Sequence, residues 1–401
     1  MSAEKADRRS EPLVRPPSLR TGDERSASRL ELFFDLAYVL VVAELAVAFL
    51  EDLTWHGARV FAGLFVVIWL SWVGFTLYAN RFDTDDVVFR IAKLVATLAI
   101  AGCAASATEA TGSLAWAFAA SYLAARIMLL LLYLRALRHV EEARGTIGVY
   151  LAALGLGAGL WVVSIALDSP WREAAWALAA LLDLAAPVIA THYGSSLTLH
   201  LEHLPERFGL LVILVLGEIV GGAVIGVHDT KWAAPSLVVA LLGFVVAAGL
   251  WWNYFDVGAA SGAEDLQQEE ERDKAQQGDS DADERHDFYI YGHLPLTLGI
   301  ALAGVGLEDL VLHPSAPVPS AGSWVLVLGV ALFFVGAAVI VAGADRRLQT
   351  AWPWPTLVVP LVAGAGFAGF GLAAPALALV AALVVAAAVF GTSARRGANA
   401  L

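Results

Sequence analysis

The sequence predicts an all-α integral membrane protein with about twelve transmembrane helices, built as two parallel-related six-helix halves. The first observation is composition, since 59% of the 401 residues are hydrophobic and only 16% are charged, which is too apolar for a water-soluble domain. The second is the recurrence of apolar runs of about 17–24 residues, the length that a bilayer-crossing helix requires. The third is that motifs of the first half recur, in order, in the second.

Twelve apolar runs, separated by short polar gaps, define the predicted spans. Helices are the element that fits, because no alternating barrel pattern occurs and every backbone polar group in lipid must be bonded internally. The spans cover approximately residues 32–50, 58–80, 88–108, 113–135, 147–167, 173–190, 208–227, 235–256, 288–312, 323–343, 355–372 and 375–391.

The polar segments complete the predicted domain organisation. Eleven of the 38 acidic residues lie between Ala263 and Asp287, in a segment with too few apolar residues to fold alone. This loop is interpreted as a solvated spacer, with partner binding as the alternative. The predicted divisions are a disordered cytoplasmic tail (1–30), a first half (31–205), a second half (206–392) that contains the acidic loop (258–287), and a cytoplasmic tail (393–401).

The distribution of basic residues predicts the orientation. Of the 25 Lys and Arg residues, 21 fall in the tails and in the loops on the same side as the tails. Three (Arg59, Arg172 and Lys231) fall on the opposite side, and Arg126 lies at mid-span. Because cytoplasmic loops are enriched in Lys and Arg, both termini are predicted to be cytoplasmic, in the bacterial cytoplasmic membrane.

Three pairs of motifs indicate an internal repeat. The offset between partners is 175, 173 and then 200 residues, and it grows because the acidic loop is inserted in the second half. Parallel repeats of this kind occur in transporters, with the pathway between the halves; a duplication that merely stabilises the bundle is the alternative. The pairs are Glu31-Leu-Phe-Phe-Asp35 with Glu206-Arg207-Phe-Gly, Asn80-Arg81-Phe-Asp83 with Asn253-Tyr-Phe-Asp256, and Thr97-Leu-Ala-Ile-Ala with Thr297-Leu-Gly-Ile-Ala.

Several of these motifs carry a resemblance to a known family. They are Glu31-Leu-Phe-Phe-Asp35-Leu, Asn80-Arg-Phe-Asp83, His203-Leu-Pro-Glu206-Arg207, Leu216-Gly217-Glu218 and His293-Leu-Pro295. With them the chain resembles the bacterial low temperature requirement protein A family, although Glu44 stands where the family usually has glutamine. The resemblance implies a multipass membrane protein and no particular substrate, because the family's name describes a growth phenotype.

Ionisable residues at mid-span are the candidate substrate- or ion-binding residues, because burying a charge in a bilayer is costly unless it faces a cavity or a partner. They are Glu44, Arg126, Asp183 and Glu218. The glycines at 217, 221 and 222 predict close helix packing or a broken helix around Glu218, and pairing of Glu218 with Arg126 is the alternative. Asp183 precedes Pro187 by one turn, so it is expected either beside a freed carbonyl or in a kinked structural helix.

A second set of residues is predicted to gate the cytoplasmic side. Asp35 is expected either to line the pathway or to pair with an arginine such as Arg81, and it lies on the opposite side of an ideal helix from Glu44. Asp83 and Asp256 end corresponding helices of the two predicted halves. Because a helix C-terminus disfavours a negative charge, they are expected to have basic or cation partners, with structural anchoring as the alternative. The full set is Glu31, Asp35, Arg81, Asp83, Glu206, Arg207, Asp256 and His293.

The sequence therefore favours a secondary transporter or ion-permeation protein for a small solute or cation. In this hypothesis a carboxylate binds a cation or proton, and its neutralisation lets the halves move. One alternative is a metal or enzymatic site at His200, His203 and Glu206, residue types found in zinc sites; another is a non-transporting regulator that recruits partners. No cofactor or nucleic acid is predicted; the lipid bilayer is the expected surrounding, and a homo-oligomer is left open.

Overall fold

The computed structural model describes residues 13–20, 28–83, 85–193, 204–257, 280–317 and 320–345, together with positions 381, 383 and 385. Within these residues ten α-helices are formed, each long and apolar enough to cross a membrane, which confirms an all-α, multi-span protein. The helices are α1 (Arg29–Glu51), α2 (Trp55–Arg81), α3 (Val87–Ser106), α4 (Ala115–His139), α5 (Arg144–Ser164), α6 (Trp171–Tyr193), α7 (Leu204–Asp229), α8 (Ala234–Trp252), α9 (Ser280–Leu312) and α10 (Ala321–Asp345).

Each of the first ten predicted spans falls on one of these helices. The predicted span 355–372 lies outside the described residues, and 375–391 is described only at positions 381, 383 and 385, so the arrangement of twelve helices in two halves stays a prediction. A short 3-10 turn (Ala107–Glu109) extends α3, and a π-helical turn (Asn253–Val257) extends α8.

The expectation of a broken helix around Glu218 is wrong, since α7 runs without interruption from Leu204 to Asp229. Backbone groups in lipid must be satisfied within the segment, and an unbroken helix does so without outside partners. Likewise α6 continues through Pro187 and α9 through Pro295.

The chain forms two compact units that share the first helical hairpin. Unit 1 comprises Met1–Tyr38 and Leu70–His200, and unit 2 comprises Val39–Trp69 and Leu201–Leu401. Helices α1 and α2 thus each belong to unit 1 at one end and to unit 2 at the other. The predicted halves, 31–205 and 206–392, instead place α1 and α2 entirely in the first half. As functional divisions these halves remain predictions.

In unit 1, helices α3 to α6 pack in chain order, each against the next. A tryptophan cluster fixes α5 against α6, with the rings of Trp161 and Trp176 stacked 5.0 Å apart. The indole N–H of Trp176 also donates to the hydroxyl of Ser164 at 2.8 Å. Aromatic stacking of this kind adds stability beyond that of the buried area alone.

In unit 2, α9 and α10 pack backbone against backbone through two rows of glycine. A Cβ built on Gly299 would lie 2.5 Å from the Phe333 nitrogen, and one on Gly329 would lie 2.6 Å from the Gly299 oxygen. The rows have a seven-residue spacing on each helix and meet in antiparallel order. They pair as Gly292 with Gly336, Gly299 with Gly329, and Gly306 with Gly322.

Helices α7 and α9 also approach closely, but in parallel. A Cβ on Gly304 would lie 3.3 Å from the carbonyl carbon of Glu218, and a Cβ on Gly222 would lie 3.1 Å from the Cβ of Glu308. The residue numbers rise together along both helices, so the two run in the same direction. Spans seven and nine of an alternating topology are expected to run this way.

Residues 13–20 form a tail strap in unit 1, which corrects the prediction that all of 1–30 is disordered. Strand β1 (Ser18–Leu19) pairs antiparallel with β2 (Phe82–Asp83), and the Val87 amide donates to the Leu13 carbonyl at 3.1 Å. The strap is ordered because its backbone groups find partners in the turn between α2 and α3. Its charged partners lie in the same region.

One buried carboxylate, that of Asp86, fastens the strap. It accepts hydrogen bonds from the Arg135 guanidinium at 2.6 and 3.0 Å and from the Arg15 amide at 3.2 Å, while the Phe89 amide donates to it as an N-cap. Burial by itself raises the pKa of Asp86, but the hydrogen bonds from Arg135, Phe89 and Arg15 outweigh burial and leave the pKa below its ordinary value. The ionised form therefore holds the strap.

Replacing Asp86 by asparagine is expected to loosen the strap, because the amide keeps the N-cap acceptor and loses the charged bonds to Arg135. Hydrogen exchange at the Arg20 and Val87 amides should accelerate by about tenfold, since a hydrogen bond to a charged group contributes roughly 1.5–3 kcal/mol. In the wild type the same loosening should begin only below about pH 4, as the lowered pKa is crossed from above.

The matched control is Asp85→Asn, which removes the carboxylate of an exposed pair with Arg90 and should leave exchange unchanged. Equal exchange at the two amides in Asp86→Asn and Asp85→Asn would show that Asp86 does not fasten the strap.

Candidate functional site

The mid-span residues Arg126 and Asp183 form a buried ion pair in unit 1. Both guanidinium Nη atoms of Arg126 donate to the Asp183 carboxylate at 2.6 Å, and Nε donates to the Leu154 carbonyl at 2.9 Å. Arg126 is only 4% exposed. A bidentate pair with a third hydrogen bond satisfies most of the guanidinium, so these two charges neutralise each other.

The absence of a side chain at Gly157 makes room for this pair. A Cβ built there would overlap the Arg126 guanidinium, whereas one on Gly155 or Gly159 meets nothing within 4 Å. The alternative that Arg126 pairs with Glu218 is wrong, because its ionic partner is Asp183. The roles of Arg126 and Asp183 in substrate binding stay a prediction.

Glu218 lies in unit 2, where a second glutamate approaches it. The Glu308 side chain of α9 occupies the space above Gly222 of α7, with Oε2 2.8 Å from where a Cβ on Gly222 would lie. Gly222 is one helical turn beyond Glu218, and the two half-buried glutamates are close enough to repel each other electrostatically. The arrangement is reciprocal, because Glu218 in turn lies beside Gly304.

A third carboxylate continues the series toward the end of α7. Asp229, the last residue of that helix, interacts electrostatically with Glu308. Sequence reasoning missed Glu308 because it lies near the end of its predicted span. The spacing Glu218-x-x-x-Gly222 on one helix and Gly304-x-x-x-Glu308 on the other was the available signal, since each glycine admits the other helix's acid.

Glu44 is exposed on the outer face of α1. Its neighbours at one-turn spacing, Leu40 and Val47, are exposed by 50% and 42%. The structure thus places it on an apolar helix face, and its predicted role in ion binding is untested.

Two of the predicted gating residues lie near the start of α1. Glu31 and Ser28 form a capping box, with the Ser28 amide donating to Glu31 at 2.7 Å and the Glu31 amide to the Ser28 hydroxyl at 3.2 Å. Asp35 is fully buried and accepts from the Trp72 indole at 2.8 Å. The expected pairing of Asp35 with Arg81 is wrong, because Arg81 faces Tyr133 and Tyr150.

The other predicted gating residues are spread over both units. Asp83 forms a partly exposed ion pair with Arg15 at 3.8 Å. Glu206 is exposed and Arg207 is buried in the first turn of α7. Asp256 lies in the π-helical turn after α8. The structure therefore gives Asp83 the basic partner that its position predicted.

His293 of α9 is held in a buried aromatic site of unit 2. Its Nδ1 lies 2.7 Å from the Tyr289 carbonyl and its Nε2 lies 2.9 Å from the Tyr254 hydroxyl. A carbonyl only accepts, so Nδ1–H donates to it, and in the neutral ring Nε2 accepts from Tyr254. Tyr254 is presented by the π-helical turn, a feature frequent at functional sites.

Lys93 is a buried cation whose environment the sequence did not reveal. It is fully buried in α3, with Nζ 3.6 Å from the Phe34 ring centroid and 5.1 Å from that of Phe75. It lies 200 residues before His293, the offset of the third motif pair, and each is followed one turn later by a threonine whose hydroxyl donates to its carbonyl. In the predicted repeat, Lys93 and His293 are therefore corresponding positions, and each is a buried basic residue.

Among the described residues, no group of three His, Cys, Asp or Glu side chains could hold a metal ion. Of the proposed cytoplasmic cluster, His200 and His203 lie outside the described residues.

These observations define the class of protein: an all-α, multi-pass protein of a lipid bilayer that carries ionisable residues inside its spans. The chain belongs to the bacterial low temperature requirement A protein (LtrA) family, whose model matches residues 26–391, and this confirms the resemblance seen in the sequence. The chain is also similar to the uncharacterized protein RA0937 of Rhizobium meliloti (strain 1021). The two are 27% identical over 311 residues, which cover 73% of this chain and 71% of the relative.

Proposed function

We propose that this chain is a secondary transporter or ion-permeation protein for a small solute or cation, with Glu218 and Glu308 as its cation- or proton-binding residues. The observation that carries the proposal is the placement of the Glu308 side chain above Gly222, one turn from Glu218. Two carboxylates that share an apolar setting cannot both stay ionised without compensation. A proton or a bound cation supplies this compensating positive charge.

The carboxylates also form a series from mid-span to a helix end. Glu218 lies in the middle of α7, Glu308 lies one turn from the end of α9, and Asp229 ends α7. A row of acids attracts cations and raises their local concentration. By the predicted orientation this row opens to the outside of the cell, with both termini in the cytoplasm.

The contrast with unit 1 supports the choice of Glu218 over Asp183. Asp183 has a bidentate arginine partner, so an incoming cation would compete with a charge already in place. Glu218 interacts instead with another acid. The predicted passage between the two halves is a further part of the proposal.

Substituting Glu218 by glutamine is expected to abolish flux in proteoliposomes. The test loads vesicles with a pH-sensitive dye and imposes proton, Na⁺ or K⁺ gradients, with protein-free vesicles as the baseline. Flux should fall to that baseline because the amide neither ionises nor exchanges a proton. Glu141→Gln, which changes an exposed acid on the loop after α4, should transport like the wild type.

A pair of alanine substitutions tests the geometry. Gly222→Ala places a methyl group against Glu308, and Gly221→Ala meets nothing within 4 Å; the first should reduce flux and the second should not. Wild-type flux in Glu218→Gln, with equal amounts of reconstituted protein, would refute the assignment of Glu218.

A further inference from the structure

Arg81, the last residue of α2, is a buried cation in an unusual setting. It is 8% exposed, and its guanidinium lies over the ring of Tyr150, 4.8 Å from the centroid. The Tyr150 ring is in turn stacked on that of Tyr133, 5.4 Å away at 6°. The ring covers one face of the planar guanidinium and leaves its N–H edge to other partners.

Among the described residues, the strongest partners of Arg81 are two neutral phenols and not carboxylates. Tyr150 and Tyr133 interact with its guanidinium both electrostatically and through their hydroxyls. The nearby acids on the turn between α2 and α3 are each paired with a different arginine: Asp83 with Arg15, Asp85 with Arg90, and Asp86 with Arg135. A buried positive charge is normally compensated, and the acids of this region are already engaged.

The polar groups around Arg81 converge without a negative charge among them. The hydroxyls of Tyr133 and Tyr150 interact with the guanidinium, but in the described part of the chain neither these hydroxyls nor Arg81 Nε and Nη1 reach a partner with full hydrogen-bond geometry, and all four atoms are buried. They are two nitrogens of a rigid fork and two O–H groups on neighbouring rings. Such a set matches an oxyanion, which accepts several hydrogen bonds and carries the missing negative charge.

We infer that Arg81, Tyr133 and Tyr150 form a binding site for a phosphate-type oxyanion in unit 1. The oxyanion is either free inorganic phosphate or the phosphate of an anionic lipid headgroup. The site is separate from the carboxylates of unit 2 and does not depend on the proposed transport activity. Since the tail strap follows directly, with the Arg20 amide donating to the Arg81 carbonyl at 3.1 Å, an occupied site would also steady that strap.

The test measures the thermal stability of the full-length protein, purified in detergent, against inorganic phosphate, with chloride at equal ionic strength as the reference. The melting temperature should rise with phosphate in the wild type. Tyr150→Phe keeps the ring and its contact with Arg81 but removes one donor, so the apparent Kd should weaken by about tenfold. Arg81→Gln should abolish the response, and Arg90→Gln, which changes an exposed ion pair, should preserve it.

A second arm distinguishes the two sources of the oxyanion. The protein is placed in nanodiscs of phosphatidylglycerol or phosphatidylcholine without free phosphate. Stabilisation by phosphatidylglycerol that Tyr150→Phe weakens assigns the site to a lipid headgroup, and a response to phosphate in detergent assigns it to the free ion. If neither oxyanion stabilises the wild type, or if Tyr150→Phe responds like the wild type, the site does not exist. The phenylalanine variant keeps this outcome decisive even if Arg81→Gln fails to fold.

Discussion

Replacing Asp183 by alanine is expected to destabilise the protein by about 3–5 kcal/mol, the cost of leaving a buried charge without its partner. Arg126 would retain its charge inside the bundle with only uncharged partners, among them the Leu154 carbonyl 2.9 Å from Nε and the Ala153 carbonyl 3.5 Å from Nη2. The loss should appear as a lower melting temperature, followed by the fluorescence of Trp161 and Trp176, which are buried in the same unit. Glu141→Ala, which breaks an exposed ion pair with Arg144, should cost less than about 1 kcal/mol.

A double substitution separates structure from function at this pair. Arg126→Leu combined with Asp183→Leu removes both charges, and buried ion pairs replaced by apolar residues often lose little stability. The double variant is therefore expected to be more stable than Asp183→Ala alone. Wild-type flux in that variant would make the pair purely structural, and lost flux with retained stability would support its predicted place in the pathway. Equal stability of Asp183→Ala and the wild type would contradict the ion pair itself.

Replacing Gly329 by alanine is expected to separate α9 from α10 and to prevent much of the protein from folding. The added methyl group would meet the backbone of Gly299 and Ala303. Overpacking typically costs about 1–3 kcal/mol when side chains can adjust, and a helix backbone cannot adjust in that way. The cost should reach or exceed the upper end of that range, and valine should be worse.

The fraction of folded protein is measured by size-exclusion chromatography of a fluorescent fusion. Gly217→Ala and Gly221→Ala are matched controls in α7, where an added Cβ meets nothing within 4 Å. Alanine is the better helix former by about 1 kcal/mol, so these two variants should fold at least as well as the wild type. A Gly329→Ala variant as stable as Gly221→Ala would show that the helices do not pack through these glycines.

Much of the fold could be predicted because the determining signal is local. The length of an apolar run and the polar residues that end it are read within one helix, and ten predicted spans fall on ten helices. Of the two expectations for the glycines around Glu218, the broken helix was wrong. Close helix packing is what the structure has at Gly222, and the partner there is Glu308 of a helix distant in sequence, which the local pattern could not name.

The candidate site was harder to predict because its partners are set by the register between helices far apart in sequence. The mid-span position of Glu44, Arg126, Asp183 and Glu218 drew attention to four residues. It could not say which acid Arg126 binds, nor that Glu44 is exposed. Lys93 was interpreted as a basic residue of the tail side, and it is instead buried against Phe34 and Phe75. The cost of its charge is reduced by ring faces, which periodicity does not show.

The glycine rows also have a mechanical consequence. Because α9 and α10 meet backbone to backbone at three pairs of glycines, the two helices should move as one stiff rod. That rod carries His293 toward one end and Glu308 toward the other, fifteen residues or about 22 Å apart. A displacement of the His293 ring would then shift α9 as a whole. The same shift would move the Glu308 carboxylate, which lies beside Glu218.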